Sequence, residues 1–140
     1  MLDILRGLHG ETSAFRDSVA ISDNATASDL VAGAFVHDDP AADGVILATA
    51  TNVTNGDPVA VVWDGYSHAP GEDTVTIIRG KIMAYTDHVV ISVDIETDYS
   101  KGDHLTIGAD GKLTAAALVT DPFCAIVREV LSDKILIETV

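Results

Sequence analysis

Bases, aromatics and cysteine are scarce in this chain, and each scarcity excludes something. Eight Lys and Arg residues stand against 22 Asp and Glu, for a formal net charge of −14. A chain this acidic is repelled by phosphate backbones, which argues against a nucleic-acid partner. Anionic membrane surfaces are disfavoured for the same reason. Aromatic residues make up only 5%, too few for the stacking platforms that sugars and nucleobases use. The single cysteine, Cys124, excludes an internal disulfide framework and cannot by itself build a structural zinc site. It lies in the apolar run Phe123-Cys124-Ala125-Ile126-Val127, where a buried, inert thiol is expected. No run approaches the ~18 uninterrupted apolar residues of a membrane helix. Met1–Leu8 is too short and too charged to read as a secretory signal. No Ser-, Gly- or Pro-rich linker divides the chain, so its 140 residues read as one domain.

What is present is aliphatic and β-branched. Hydrophobic residues make up 47%, mostly Ala, Val, Ile and Leu, enough to bury a core. Val, Ile and Thr suit pleated surfaces. The predicted strands are Ser18–Ser22, Leu30–Val36, Val45–Thr51, Val59–Asp64, Thr74–Tyr85, Val89–Ile95, His104–Ile107, Lys112–Ala115, Ala125–Leu131 and Ile135–Thr139. Turn chemistry separates them at Asp38-Asp39-Pro40, Asp43-Gly44, Asn55-Gly56-Asp57-Pro58, Pro70-Gly71 and Ser132-Asp133. Short strands at this spacing predict an all-β fold, a single-domain β-sandwich or jelly-roll-like barrel. Within Thr74–Ile82, Val75, Ile77 and Arg79 fall on one face while Thr76, Ile78 and Gly80 fall on the other. Gly80 in mid-strand predicts a bulge or a close backbone approach. Thr114–Val119 has the composition for one helical turn.

Residues 1–17 differ from the β domain, 18–140. Leu2, Leu5 and Leu8 recur at helical spacing, Ile4 and Phe15 add apolar surface, and Gly7 and Gly10 interrupt any long helix. The segment reads as an N-terminal arm. Leu2, Ile4, Leu5, Leu8 and Phe15 either cap the domain's own core or grip a neighbouring subunit.

Catalytic and metal motifs do not assemble from the sequence. His9, His37, His68, His88 and His104 are scattered, with no HExxH pair. Asp38, Asp39 and Asp43 lack the ligand spacing of a calcium loop and read as a solvated turn. Gly65-Tyr66-Ser67-His68-Ala69 resembles a hydrolase elbow, but its last glycine is an alanine and Pro70-Gly71 follows where a helix would have to start. No phosphate-binding glycine loop occurs. The expectation is a binding or assembly protein, not an enzyme, with no cofactor and no metal.

One stretch carries a sharper clue, Lys101-Gly102-Asp103-His104-Leu105-Thr106-Ile107-Gly108-Ala109-Asp110-Gly111-Lys112-Leu113-Thr114. Asp110-Gly111 is a strong hairpin signal. Leu105 and Ile107 share one face, with His104 and Thr106 on the other. The order Gly102-Asp103, Leu105, Gly108, Asp110-Gly111-Lys112-Leu113-Thr114, then Ala125-Ile126-Val127 and Ile135-Leu136-Ile137, resembles the capsid decoration, or cement, proteins of tailed bacteriophages. The resemblance runs from Gly102 to the end of the chain; the N-terminal half does not share it. It implies a virion protein, made in the host cytoplasm, that binds the outer surface of an icosahedral shell. Its partners would be the major capsid protein and further copies of itself, as dimers or trimers at symmetry axes. Multivalent weak contacts would then clamp the shell. The alternatives are another phage structural β protein, such as a head-fibre or tail component, or a small cupin-like enzyme.

Overall fold

The computed structural model describes residues 3–7, 15–69, 72–89, 94–118 and 120–140. Among them the β-branched runs form two antiparallel sheets, giving the sandwich-like all-β fold that the strand spacing predicts. The first sheet holds six strands: β1 (Asp3–Gly7), β7 (Ile82–Thr86), β11 (Ile135–Thr139), β10 (Ala125–Val130), β8 (His104–Ile107) and β9 (Leu113–Ala115), in that order. The second holds five: β2 (Phe15–Ala20), β6 (Glu72–Arg79), β5 (Ala60–Ala69), β3 (Phe35–Asp38) and β4 (Val45–Leu47). Two short α-helices, α1 (Ala50–Asn55) and α2 (Ile95–Asp98), and two 3-10 turns, Ala27–Asp29 and Ala109–Gly111, complete the described elements. No helix among the described residues is long and apolar enough to cross a membrane.

Period-two alternation decides which side chains meet. Phe35, Val61 and Ile78 from the five-stranded sheet pack with Ile82, Ala84, Leu105, Ile107, Val127, Ile135 and Ile137 from the six-stranded sheet. This cluster is the interior between the sheets. The neighbouring residues Val36, Val62 and Ile77 point the other way and form a second cluster with Leu30, Ala34, Val45 and Val75. The five-stranded sheet is therefore buried on both faces, its outer face covered by the segment that carries the 3-10 turn Ala27–Asp29. Inside the first cluster's edge, the Thr139 hydroxyl accepts the Ile82 N–H at 2.8 Å and satisfies a buried donor.

Several predicted strands change on folding. Thr74–Tyr85 is two strands, not one. Gly80 takes φ +102°, and at this joint the chain passes from the five-stranded sheet into the six-stranded one. Val45–Thr51 ends as a strand at Leu47, because Thr49 and Asn52 open α1: the Asn52 side-chain oxygen accepts the Thr49 N–H at 2.8 Å. Leu30–Val36 is strand only from Phe35, its first residues being the cover over the second cluster. In Val89–Ile95, Val89 makes an isolated bridge to Leu113 and Ile95 begins α2, capped by Asp94; residues 90–93 lie outside the described set. The helical turn expected in Thr114–Val119 is replaced at its start by β9.

The segment read as an arm, 1–17, contains β1 and the beginning of β2. β1 pairs with β7, Asp3 opposite Tyr85 and Gly7 opposite Ile82. β2 pairs with β6, Phe15 opposite Arg79 and Ala20 opposite Thr74. Together β1 and β2 run antiparallel to the consecutive pair β6–β7, one ribbon shared between two sheets.

Candidate functional site

The Gly102–Thr114 stretch is a β-hairpin, as its turn chemistry predicts. β8 pairs with β9 in the register Leu105 opposite Ala115, Thr106 opposite Thr114 and Ile107 opposite Leu113. Asp110 (φ 56°, ψ 29°) and Gly111 (φ 72°) both adopt the left-handed conformation that a tight hairpin turn requires. The Lys112 N–H donates to the Ala109 carbonyl at 3.1 Å and the Gly108 N–H to the Lys112 carbonyl at 2.7 Å. The tip reaches across to the other sheet. A Cβ on Gly111 would lie 2.8 Å from Leu47 Cδ2 and 2.9 Å from the Phe35 carbonyl oxygen. At the base, Asp103 accepts the Ser100 N–H at 2.9 Å. His104 does not stand alone on the polar face: its ring stacks on Phe123 with centroids 3.8 Å apart. Asp103 and His104 thus each have a structural task.

The acidic loop is similarly occupied. Asp39 accepts the Ser22 hydroxyl at 2.5 Å, the Asn24 amide at 2.9 Å and the Ala41 N–H at 2.8 Å. These bonds, the Ser22 hydroxyl first, lower its pKa from 3.8 to about 2. Asp39 thereby staples the Ser22–Asn24 turn to the turn before β4. Asp38 faces Arg79 at 3.6 Å, and Arg79 in turn binds Asp17 at 3.0 Å, linking β6 to β2 and β3. Among the described residues no group of three His, Cys, Asp or Glu side chains is arranged to hold a metal ion.

The remaining sequence candidates divide by place. Cys124 is buried, and desolvation pushes its thiol up to about 12, so it is not a nucleophile in the folded chain. Gly65–Ala69 lies within β5, an extended strand, without the strand-to-helix turn of a hydrolase elbow. Of the residues expected at an interface, Ile4 and Leu5 lie on β1 and Phe15 opens β2, so both segments are outer strands of their sheets. Leu2 and Leu8 lie outside the described residues.

Two features escaped the sequence. The outward side chains Met83, Leu136 and Arg128 of the six-stranded sheet, with Tyr99, Lys101 and Val130, line an open concavity of about 800 Å³. Arg128 pairs with Glu138 at its margin. His88 has its Nε2 buried with no hydrogen-bond partner, beside Gly33, where a Cβ would approach the His88 Cβ to 3.0 Å. Neither had a local signal, because each is assembled from strands far apart in sequence. The chain matches no family model, no curated protein and no solved structure.

Proposed function

We propose that this chain is a structural assembly protein of a tailed-phage virion, one that binds the outer surface of the capsid and clamps adjacent major capsid subunits. The observation that carries this reading is the fate of the Gly102–Thr114 stretch. The residues that resemble the decoration proteins are the ones that build the hairpin and its turn, and its tip ties the two sheets together. Their role is architectural, which suits a protein that acts by presenting a surface. The charge of −14 supports a position outside the shell, away from packaged phosphates. The outer strands β1 and β2, with Leu2, Ile4, Leu5, Leu8 and Phe15, are the proposed contact region with capsid or neighbouring copies. Backbone pairing at a sheet edge supplies affinity in such contacts.

Co-sedimentation of the purified protein with expanded empty shells, followed by electron microscopy, tests the reading. The expected result is saturable binding at symmetry-related positions. Self-assembly into rings or fibres with no shell binding would favour a tail or fibre component instead. Deleting residues 1–15 separates the two parts of the proposal. The shortened chain is expected to keep its β signature in circular dichroism and to lose shell binding. Undiminished binding would remove β1 from the contact region while leaving the shell partner intact.

A further inference from the structure

We infer that Asn55-Gly56 is a site of spontaneous covalent modification, deamidation through a succinimide, which the fold leaves open at this one place. In this reaction the Gly56 backbone nitrogen, having lost its proton, attacks the Asn55 side-chain carbonyl carbon. The new C–N bond closes a five-membered ring and ammonia leaves. Water then opens the ring at either carbonyl, giving aspartate or isoaspartate. Nothing is oxidised or reduced, and the only co-reactant is water.

The chain has four Asn-Gly or Asp-Gly pairs, at 43–44, 55–56, 64–65 and 110–111. Attack requires the glycine's peptide plane to rotate, so the space around each glycine decides. A Cβ on Gly44 would sit 2.7 Å from the Ala20 carbonyl oxygen and the Ser22 nitrogen. Gly111 is wedged against Leu47 and Phe35, and Gly65 lies within β5. A Cβ on Gly56 would meet nothing within 4 Å beyond the adjoining residues and the helix's own backbone, and both Asn55 and Gly56 are exposed. The other two asparagines are held. Asn52 is buried, bonded to Thr49 and Asp57, and followed by the bulky Val53. The Asn24 amide donates to Asp39, and Ala25 follows it.

One restraint remains at Asn55. The Gly56 N–H caps α1 by donating to the carbonyls of Asn52 and Val53. That cap must open before the nitrogen can attack. It closes the last turn of a helix only six residues long, where fraying is cheapest. The rate at Asn55 therefore reads the opening of this turn. The isoaspartate product adds a methylene to the backbone just before the residue at φ +72°, so the cap cannot re-form in the same geometry.

The test is incubation of the full-length protein in warm, mildly alkaline buffer, with peptide mapping by mass spectrometry and an isoaspartate assay. The amide-to-acid mass gain is expected at Asn55 ahead of Asn24 and Asn52. The folded chain should react about tenfold more slowly than the urea-unfolded chain, the ratio for a cap that opens at roughly 1.4 kcal/mol. Gly56→Ala and Asn55→Gln should each lose the gain, and the exposed Asn55→Gln keeps the glycine cap should Gly56→Ala unfold. A gain that appears first at Asn24 or Asn52 would overturn the inference. So would a folded chain that stays unmodified while the unfolded chain is fully converted.

Discussion

His88 is held by its backbone and left unserved at its ring. Its N–H donates to the Thr86 hydroxyl at 3.0 Å and its carbonyl accepts the Leu113 N–H at 3.4 Å, while Nε2 is buried without a partner. Burial lowers the ring's pKa below 6.5; the neighbouring Lys112 acts in the same direction, and Asp87 and Asp110 act against it. The unfolded chain therefore binds a proton at higher pH than the native one does. The stability that His88 contributes is complete above pH 6.5 and is lost as the pH falls toward the lower folded-state value. Urea midpoints measured across this range should decline on acidification, and His88→Leu should flatten part of that slope. Equal slopes for the two proteins would show that His88 carries none of it. The sequence held no sign of this: Asp87-His88-Val89 reads as ordinary turn and strand, and the neighbours Gly33 and Leu113 lie on distant segments. Cys124, by contrast, was legible, because an apolar run of small and branched residues buries whatever sits in it.

At the scale of the element, the β8–β9 hairpin was readable to within a residue because its turn residues state their own backbone conformation. Its docking was not, since Leu47 and Phe35 lie far upstream. That docking makes Gly111 demanding twice over, by its positive φ and by the contacts that a Cβ would meet. Gly111→Ala should destabilise the fold by about 1–3 kcal/mol, seen as a lower denaturant midpoint; a midpoint within error of the parent would mean that the tip yields freely. Helix α1 shows the opposite failure. Val45–Thr51 has strand composition throughout, and the Thr49/Asn52 pair that starts the helix is not the usual Ser/Thr with Glu/Gln signal. What secures α1 is Asn52, buried between its two ends and bonded to both Thr49 and Asp57.

Across the whole molecule, the main cluster draws on both sheets, so neither should melt alone. Ile137 is 1% exposed in the middle of the six-stranded sheet, while Trp63 lies on β5 in the other. Ile137→Ala should cost about 2–5 kcal/mol. Trp63 fluorescence and far-ultraviolet circular dichroism should then shift to the same lower midpoint. Separate transitions would mean that the sheets are independent units. The double burial of the five-stranded sheet was half visible in the sequence, where Val75 and Ile77 face one way and Ile78 the other. The Leu30 segment that covers its outer face was not, because it reads as strand.

The ribbon formed by β1–β2 against β6–β7 has a consequence for how the protein is made. A ribosome releases β1 and β2 before β6 and β7, and even Ala20 waits 54 residues for its partner Thr74, while Asp3 waits 82 for Tyr85. During that interval both strands are nascent edges without a mate, the state most open to pairing with the wrong chain. Arg6, Arg16 and Asp17 lie within them, and charges at such positions discourage that pairing. Asp17, which binds Arg79 in the finished fold, is thus also one of the charges that keep the waiting strands apart until translation supplies their partners.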